Sequence, residues 1–157
     1  MNKFATLRTA SPAASARQAG FTLVELMIGV AVAGVLSGVA LPSFEGQIQK
    51  ARRSDALVSM MQVQAAQERF RTNNSRYGTL AEIGVASTSA ARHYGLQTTD
   101  ANADSYEALA TAAGMQARDT ACLYMKVSSN GLNPVYASGP TASVANADAA
   151  NRKCWGF

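Results

Sequence analysis

The fold of this chain is decided by the stretch Arg17-Gln18-Ala19-Gly20-Phe21-Thr22-Leu23-Val24-Glu25-Leu26-Met27 and the apolar run that continues from it. The twenty-one residues from Phe21 to Leu41 contain a single charged side chain, Glu25, and no proline occurs before Pro42. A helix of this length covers roughly 31 Å, the thickness of a bilayer's hydrocarbon core. The sequence therefore predicts a membrane-spanning helix. A carboxylate inside it costs about 2.5–3.5 kcal/mol on insertion scales and requires a functional reason.

The segment Gly20-Phe21-Thr22-Leu23-Val24-Glu25-Leu26 resembles the processing and N-methylation site of the type IV prepilins. The resemblance continues through Leu41-Pro42-Ser43-Phe44 and, more loosely, along the following helix and to the two cysteines. It implies that a prepilin peptidase cuts after Gly20 and methylates the new N-terminus at Phe21. It also implies that Glu25 pairs with the Phe21 amine of a neighbouring subunit during assembly. The alternative for Glu25 is a membrane carboxylate that simply stays protonated.

The leader implied by this cut, residues 1–20, contains Lys3, Arg8 and Arg17 and has no apolar stretch of its own, unlike a secretory signal peptide. It is long for a pilin whose mature chain begins with Phe. Without these three cations, eleven basic and ten acidic residues remain, so the overall charge does not indicate a nucleic-acid binder. Because the peptidase acts on the cytoplasmic side, the resemblance places the precursor in the bacterial inner membrane with its head in the periplasm. After assembly the protein is expected in an extracellular pilus.

Four segments are expected on this interpretation. Residues 1–20 form the cleaved leader, 21–42 the membrane-spanning and filament-core helix, 43–75 an amphipathic helical half, and 76–157 a globular head. We therefore predict an α+β fold in which a long N-terminal helix packs on a small antiparallel β-sheet, followed by a disulfide-bound C-terminal loop. In the helix, Gly34 and Gly38 have the small-xxx-small spacing that favours close helix packing, although glycine is also common in membrane helices.

The amphipathic half has apolar residues at a spacing of three to four, which predicts a helix with one face on a small core. Its apolar positions are Ala56, Leu57, Met60, Val63, Ala66 and Phe70. The opposite, polar face is expected to carry Lys50, Arg53, Gln62, Gln64, Arg69 and Arg71. Pro42 lacks an N–H and predicts a bend or local loosening over residues 41–46, while Asn73-Asn74-Ser75 predicts the end of the helix.

The head begins with a weakly patterned stretch, residues 76–104, which we expect to be a surface loop with at most a short helical turn at Leu80–Ile83. Residues 139–151 contain few bulky apolar side chains and are expected to be a second loop. Asn130-Gly131 predicts a hairpin between the last two of three strands. The predicted strands are Tyr106–Ala112, Ala121–Ser128 and Pro134–Ala137.

Cys122 and Cys154 are the only cysteines and enclose thirty-one residues. A disulfide between them would stabilise the head by about 3–4 kcal/mol on the chain-entropy model, and it fits an oxidising compartment. Two free thiols, or a metal pair with His93, are the alternatives, and a single His without a C-x-x-C is a poor ligand set. The resemblance implies that this region is disulfide-bound and shapes the filament's exposed surface. No metal or other cofactor is expected.

Arg152-Lys153 beside Trp155 could contact DNA, with the cations on phosphates and the ring stacked on a base. The alternative is a solvated pair of charges beside a structural tryptophan. For enzymatic chemistry, the sequence has neither a Gly-rich phosphate loop after a strand nor an H-E-x-x-H motif, so no catalytic residue is expected.

The leading interpretation is a structural subunit of a type IV pilus that serves adhesion, twitching motility or DNA uptake. Its expected partners are other pilin subunits, the prepilin peptidase, the inner-membrane pilus assembly machinery and the membrane. The alternatives are a DNA-binding minor pilin for natural transformation and a pseudopilin of a type II secretion machine. The layout of Arg76-Tyr77, Asp119-Thr120-Ala121-Cys122 and Cys154-Trp155 looks most like PilE-type pilins, and it does not distinguish a major from a minor subunit.

Overall fold

The computed structural model describes residues 20–131 and 133–157, with the backbone alone at residues 41–43. It divides into a unit that ends at Ala40 and a unit from Leu41 to Phe157, which we call the head. The leader before Gly20 lies outside the described residues. The helices are α1 (Leu23–Asn74) and α2 (Asp148–Cys154), and the strands are β1 (Tyr94–Thr99), β2 (Tyr106–Ala112), β3 (Tyr124–Ser129) and β4 (Pro134–Gly139).

The first turn of α1 is capped by Thr22, whose Oγ1 accepts a hydrogen bond of 3.2 Å from the Glu25 N–H. Thr22 and Glu25 have the T-x-x-E spacing of a capping box, in which the side chain of the first residue satisfies an unpaired backbone donor. The acidic side chain also lies in the first turn, where the helix dipole favours a negative charge. Thr22 therefore caps the start of α1, and the spacing of Thr22 and Glu25 in the sequence is consistent with that cap.

The N-terminal part of α1 exposes its apolar side chains, among them Phe21, Leu23, Val30 and Val39. Within the described residues this is the one helix that is long and apolar enough to cross a membrane, and none of its apolar window is buried against protein. The helix continues through Pro42 without interruption. The expected bend or loosening over residues 41–46 stays a prediction, since proline removes one backbone donor while the helix continues past it.

In the head, the predicted apolar face of α1 packs on the sheet, as expected from its spacing. Ala56, Met60, Val63 and Ala66 are buried, and Leu57 and Phe70 are partly buried against the same cluster. The sheet presents alternate residues of β2 and β3 to this helix face. The buried members from these two strands are Tyr106, Ala108, Ala110, Ala112, Met125 and Val127.

The four strands form an antiparallel meander in the order β1-β2-β3-β4. The predicted β2 is confirmed, and the hairpin between β3 and β4 is also present, with Ser129 opposite Pro134. Gly131 in this hairpin has a φ of +82°, a backbone conformation that glycine adopts without steric cost. Asn130-Gly131 was therefore a valid turn signal.

Three expectations for the head were wrong in detail. Strand β1 lies inside the stretch expected to be a loop. It was missed because only two residues, Tyr94 and Leu96, alternate towards the core, which is too short a pattern to recognise. Helix α2 occupies the end of the second expected loop and lasts seven residues. The first residues of the predicted strand Ala121–Ser128 instead belong to a 3-10 turn, Thr120–Cys122, which follows another at Gly114–Arg118.

The segment before β1 is held against α1 by Asp55. Its carboxylate accepts hydrogen bonds from Ser89 Oγ at 2.5 Å and from the backbone N–H groups of Ala91 at 3.1 Å and His93 at 3.3 Å. Burial alone would raise the pKa of Asp55, but these hydrogen bonds outweigh it and lower the pKa below its ordinary value. The connection is thus fixed by polar contacts to the helix.

Candidate nucleic-acid interface

A groove of about 810 Å³ lies in the head where three segments meet, and we call it the basic groove. One wall is the α1 segment around Lys50 and Arg53, the second is formed by the 3-10 turns around Arg118 and Asp119, and the third is α2 with its following residues. The groove is lined by five basic residues and one acidic residue, a net charge of +4. Its basic residues are Lys50, Arg53, Arg118, Arg152 and Lys153.

Four of these cations are exposed to solvent, namely Lys50, Arg118, Arg152 and Lys153. None of the ion pairs formed among residues 20–131 and 133–157 includes any of the four. Clustered cations without acidic partners create a positive potential that attracts phosphate groups. The groove is therefore the part of the described head best suited to a polyanion.

The fifth cation, Arg53, connects the three walls. Its Nε and Nη2 donate to the Asp119 carboxylate at 2.7 and 2.9 Å, a bidentate pair, and its Nη1 donates to the Lys153 carbonyl at 2.6 Å. The Arg53 and Asp119 side chains are only 11% and 3% exposed. Gln116 Nε2 donates to the same carboxylate at 3.1 Å. Arg53 was predicted on the solvated face of α1, and this was wrong because its charge is paired and largely buried.

The position of α2 is fixed by the Cys122–Cys154 disulfide, which confirms the expected pairing and excludes the free-thiol and metal alternatives for these residues. Asn151 adds a polar anchor, since its Oδ1 accepts from Ser138 Oγ at 3.0 Å and its Nδ2 donates to the Tyr136 carbonyl at 2.8 Å. These contacts place Arg152 and Lys153 in the groove opposite Lys50.

Of the three residues predicted to contact DNA, Arg152 and Lys153 are accessible and Trp155 is not. Arg152 and Lys153 are exposed and line the basic groove. Trp155 is only 5% exposed, and its Nε1 donates to the Ala137 carbonyl at 3.2 Å. Because the indole is enclosed by protein, it cannot stack on a base. Trp155 is a structural tryptophan.

Sequence reasoning missed Lys50, Arg53 and Arg118 as companions of Arg152 and Lys153. Lys50 and Arg53 are three residues apart on one helix face, which is a visible signal, but nothing local connects them with residues 100 positions later. The link runs through the disulfide, because Arg118 lies just before Cys122 and Lys153 just before Cys154. The predicted disulfide could have indicated that the basic residues near each cysteine lie close together, which would have identified two of the three walls.

The residues expected to serve processing and assembly lie in the N-terminal unit. Gly20, Phe21 and Glu25 are exposed at the start of α1. Gly34 and Gly38 are also exposed, and a Cβ added at either would meet no protein atom within 4 Å. Both glycines therefore present a flat surface on which another helix could approach closely.

Two families match this chain. Residues 42–126, more than half of the chain, match the family described as the type IV minor pilin ComP, DNA uptake sequence receptor. Residues 15–41 match the prokaryotic N-terminal methylation motif. The first match covers α1 beyond Pro42, the segment before β1, β1, β2 and the start of β3, and so includes two of the three walls of the basic groove.

Individual relatives are pilins and pseudopilins. The chain is 39% identical over 71 residues to the type IV major pilin protein PilA of Myxococcus xanthus, covering 45% of this chain and 32% of that protein. It is 35% identical over 63 residues to the type II secretion system core protein G of Klebsiella pneumoniae, covering 40% and 45%. A fimbrial protein of Neisseria meningitidis serogroup B is 36% identical over 73 residues, covering 46% and 43%. The matches thus span less than half the length of these relatives.

Proposed function

Since this chain belongs to the family of the type IV minor pilin ComP, we propose that it is a minor pilus subunit that binds DNA through the basic groove. Its N-methylation motif and apolar N-terminal helix are those of a membrane-anchored pilin precursor. We propose that the head faces the periplasm before assembly and the exterior of the cell afterwards. Its proposed partners are the prepilin peptidase, other pilin subunits, the inner-membrane assembly machinery and double-stranded DNA.

The observation that carries the DNA-binding proposal is the net charge of +4 on the residues lining one groove. In the rest of the head, Arg76 and Lys126 are paired with Glu82 and Glu107. The other cations do not line the groove, and these are Arg52, Arg69, Arg71 and Arg92. The chain as a whole is nearly neutral once the leader is set aside, so the groove concentrates positive charge where the backbone of DNA can displace counterions. Because these contacts address phosphates, they give affinity and not sequence selectivity.

Replacing Lys50 and Arg118 together by alanine is expected to weaken DNA binding for all sequences. Each lost phosphate contact reduces the slope of log Kd against log salt by about 0.9, so the double variant should lower the slope by about 2. Fluorescence anisotropy of a labelled duplex, titrated with the detergent-solubilised full chain at several salt concentrations, measures both Kd and its salt slope.

The matched control is the double variant Arg69→Ala and Arg92→Ala, which removes the same charge from exposed positions that do not line the groove. This control should retain the wild-type salt slope to within about 0.5. Equal losses in the two double variants would show that net charge alone drives binding and would contradict a DNA site in the groove.

For assembly, we propose the steps implied by the N-terminal motif: cleavage after Gly20, N-methylation of Phe21, and pairing of Glu25 with the Phe21 amine of a neighbouring subunit. Gly34 and Gly38 are proposed to let neighbouring helices pack closely in the filament core. Pairing is plausible physically because two opposite charges in an apolar environment offset each other's desolvation when they are in contact. Finding an intact leader on subunits recovered from pili would contradict the processing step.

The variant Glu25→Gln is expected to lower incorporation into sheared filaments by at least about tenfold when it replaces the wild-type chain in the native host. It leaves an incoming positive terminus without a partner, which costs several kcal/mol in apolar surroundings. Glutamine keeps the capping-box residue type, so the start of α1 should remain helical. Immunoblots of membrane and filament fractions measure processing and incorporation separately.

Thr22→Ala is the complementary control, because it removes the cap from the Glu25 N–H and keeps the carboxylate. The lost cap should cost about 1 kcal/mol of helix stability, and incorporation should stay near the wild-type level. If Thr22→Ala prevents incorporation and Glu25→Gln does not, assembly requires the Thr22 cap and not the Glu25 charge, and the charge-pairing proposal is wrong.

A further inference from the structure

Phe157 presents an aromatic ring at the surface next to the basic groove. Its side chain is 61% exposed, in contrast to the buried Trp155. The ring lies edge-to-face with Tyr136, with centroids 5.0 Å apart and planes at 82°. Tyr136 in turn lies edge-to-face with Trp155, also at 5.0 Å. The exposed ring therefore packs against Tyr136, and Trp155 lies 6.2 Å from it.

A pocket of about 380 Å³ opens beside this ring, and we call it the aromatic pocket. It is open to solvent and combines apolar walls with a few polar groups, as small-molecule sites do. Val135, Tyr136 and Phe157 supply the apolar wall, and Asn146, Asp148 and Arg152 supply the polar groups.

Arg152 lines both the aromatic pocket and the basic groove, so the two sites adjoin at this residue. A nucleic-acid strand in the groove would thus reach the pocket within a short distance. The pocket itself contains the carboxylate of Asp148, which repels a phosphate. Asp148 and Arg152 together leave the pocket without net charge, so the groove, with its net charge of +4, is the part that attracts phosphates.

We propose that the aromatic pocket takes a single unstacked DNA base while the adjoining backbone lies in the basic groove. This inference rests on the proposed DNA binding and adds a contact to the base itself. The ring of Phe157 offers a stacking surface, which every base can use. The Asp148 carboxylate can accept a hydrogen bond from a cytosine amino group. The Asn146 Oδ1 already accepts from Asn151 Nδ2, so Asn146 offers its amide N–H groups to a base edge.

The test compares two labelled duplexes with the same number of phosphates, one with a single base placed opposite an abasic site and one fully paired. The detergent-solubilised full chain should bind the first more tightly, because an unpaired base enters the pocket without the cost of breaking a base pair. Phe157→Ala should weaken binding to this duplex by about 5- to 150-fold, the range reported for loss of one stacked base, with an unchanged salt slope. Phe157→Tyr keeps the ring and should retain the wild-type affinity.

Met61→Ala removes another exposed apolar side chain, one that lines neither site, and should leave the binding of both duplexes unchanged. If Phe157→Ala binds the unpaired-base duplex like the wild type, and Lys50→Ala with Arg118→Ala weakens it, the base pocket is wrong and the DNA-binding groove stands. If the wild-type chain binds neither duplex, the proposed function fails, and this inference fails with it.

Discussion

Replacing Arg53 by methionine is expected to lower the free energy of unfolding of the head by about 3–5 kcal/mol. The substitution keeps much of the side-chain volume and removes the guanidinium that pairs with Asp119 at 2.7 and 2.9 Å. The Asp119 side chain is 3% exposed, so its charge would be left in the interior without its cation. Removing one partner of a buried pair costs far more than the pair contributes, because the remaining charge is not rehydrated.

The measurement is urea unfolding of the detergent-solubilised chain, followed by the fluorescence of Trp155, the single tryptophan. Lys50→Met is the matched control, since Lys50 lies one turn before Arg53, lines the same groove and is exposed. It should change stability by no more than about 0.5 kcal/mol. The double variant Arg53→Met with Asp119→Asn should recover part of the loss. A loss in the double variant equal to the sum of the single losses would contradict coupling.

Removing the Cys122–Cys154 disulfide is expected to destabilise the head by about 3–4 kcal/mol. The double alanine variant is preferred to serine, because both sulfurs are buried and a buried hydroxyl would add its own cost. The bond closes a sequence separation of 32 residues and ties the third wall of the basic groove to the second. We therefore also expect weaker DNA binding, since Arg152 and Lys153 lose their fixed position.

Wild-type protein treated with a reductant provides the comparison for this variant. It should unfold at nearly the same urea concentration as the double alanine variant, while the variant itself should not respond to the reductant. If the untreated wild type and the double alanine variant have the same unfolding midpoint, the bond has no stabilising role.

Much of the fold follows from periodic signals in the sequence. The core face of α1 was predicted from its 3–4 spacing, and β2 from its alternation, because each pattern extends over several residues. Strand β1 and helix α2 were missed since each is short and depends on tertiary support, β1 on pairing with β2, and α2 on its disulfide and on Asn151. Local propensity is a weak guide for such elements.

The groove was the least predictable part of the molecule. The Arg53–Asp119 pair joins residues 66 positions apart, and a charged residue on an amphipathic helix is ordinarily solvated. The aromatic residue chosen from the sequence, Trp155, was adjacent to the cations but buried, while Phe157, two residues later, is exposed. Adjacency along the chain says little about which ring faces solvent, because Gly156, with a φ of +86°, turns the backbone between Trp155 and Phe157.

The disulfide also determines how the head would respond to mechanical tension. A polymer held by Arg152 under tension would load α2, a helix of seven residues. Cys154 passes this force into a covalent bond with Cys122, and Arg53 passes part of it through the Lys153 carbonyl into α1. The groove would therefore keep its shape under traction until the main-chain structure of the head itself yields.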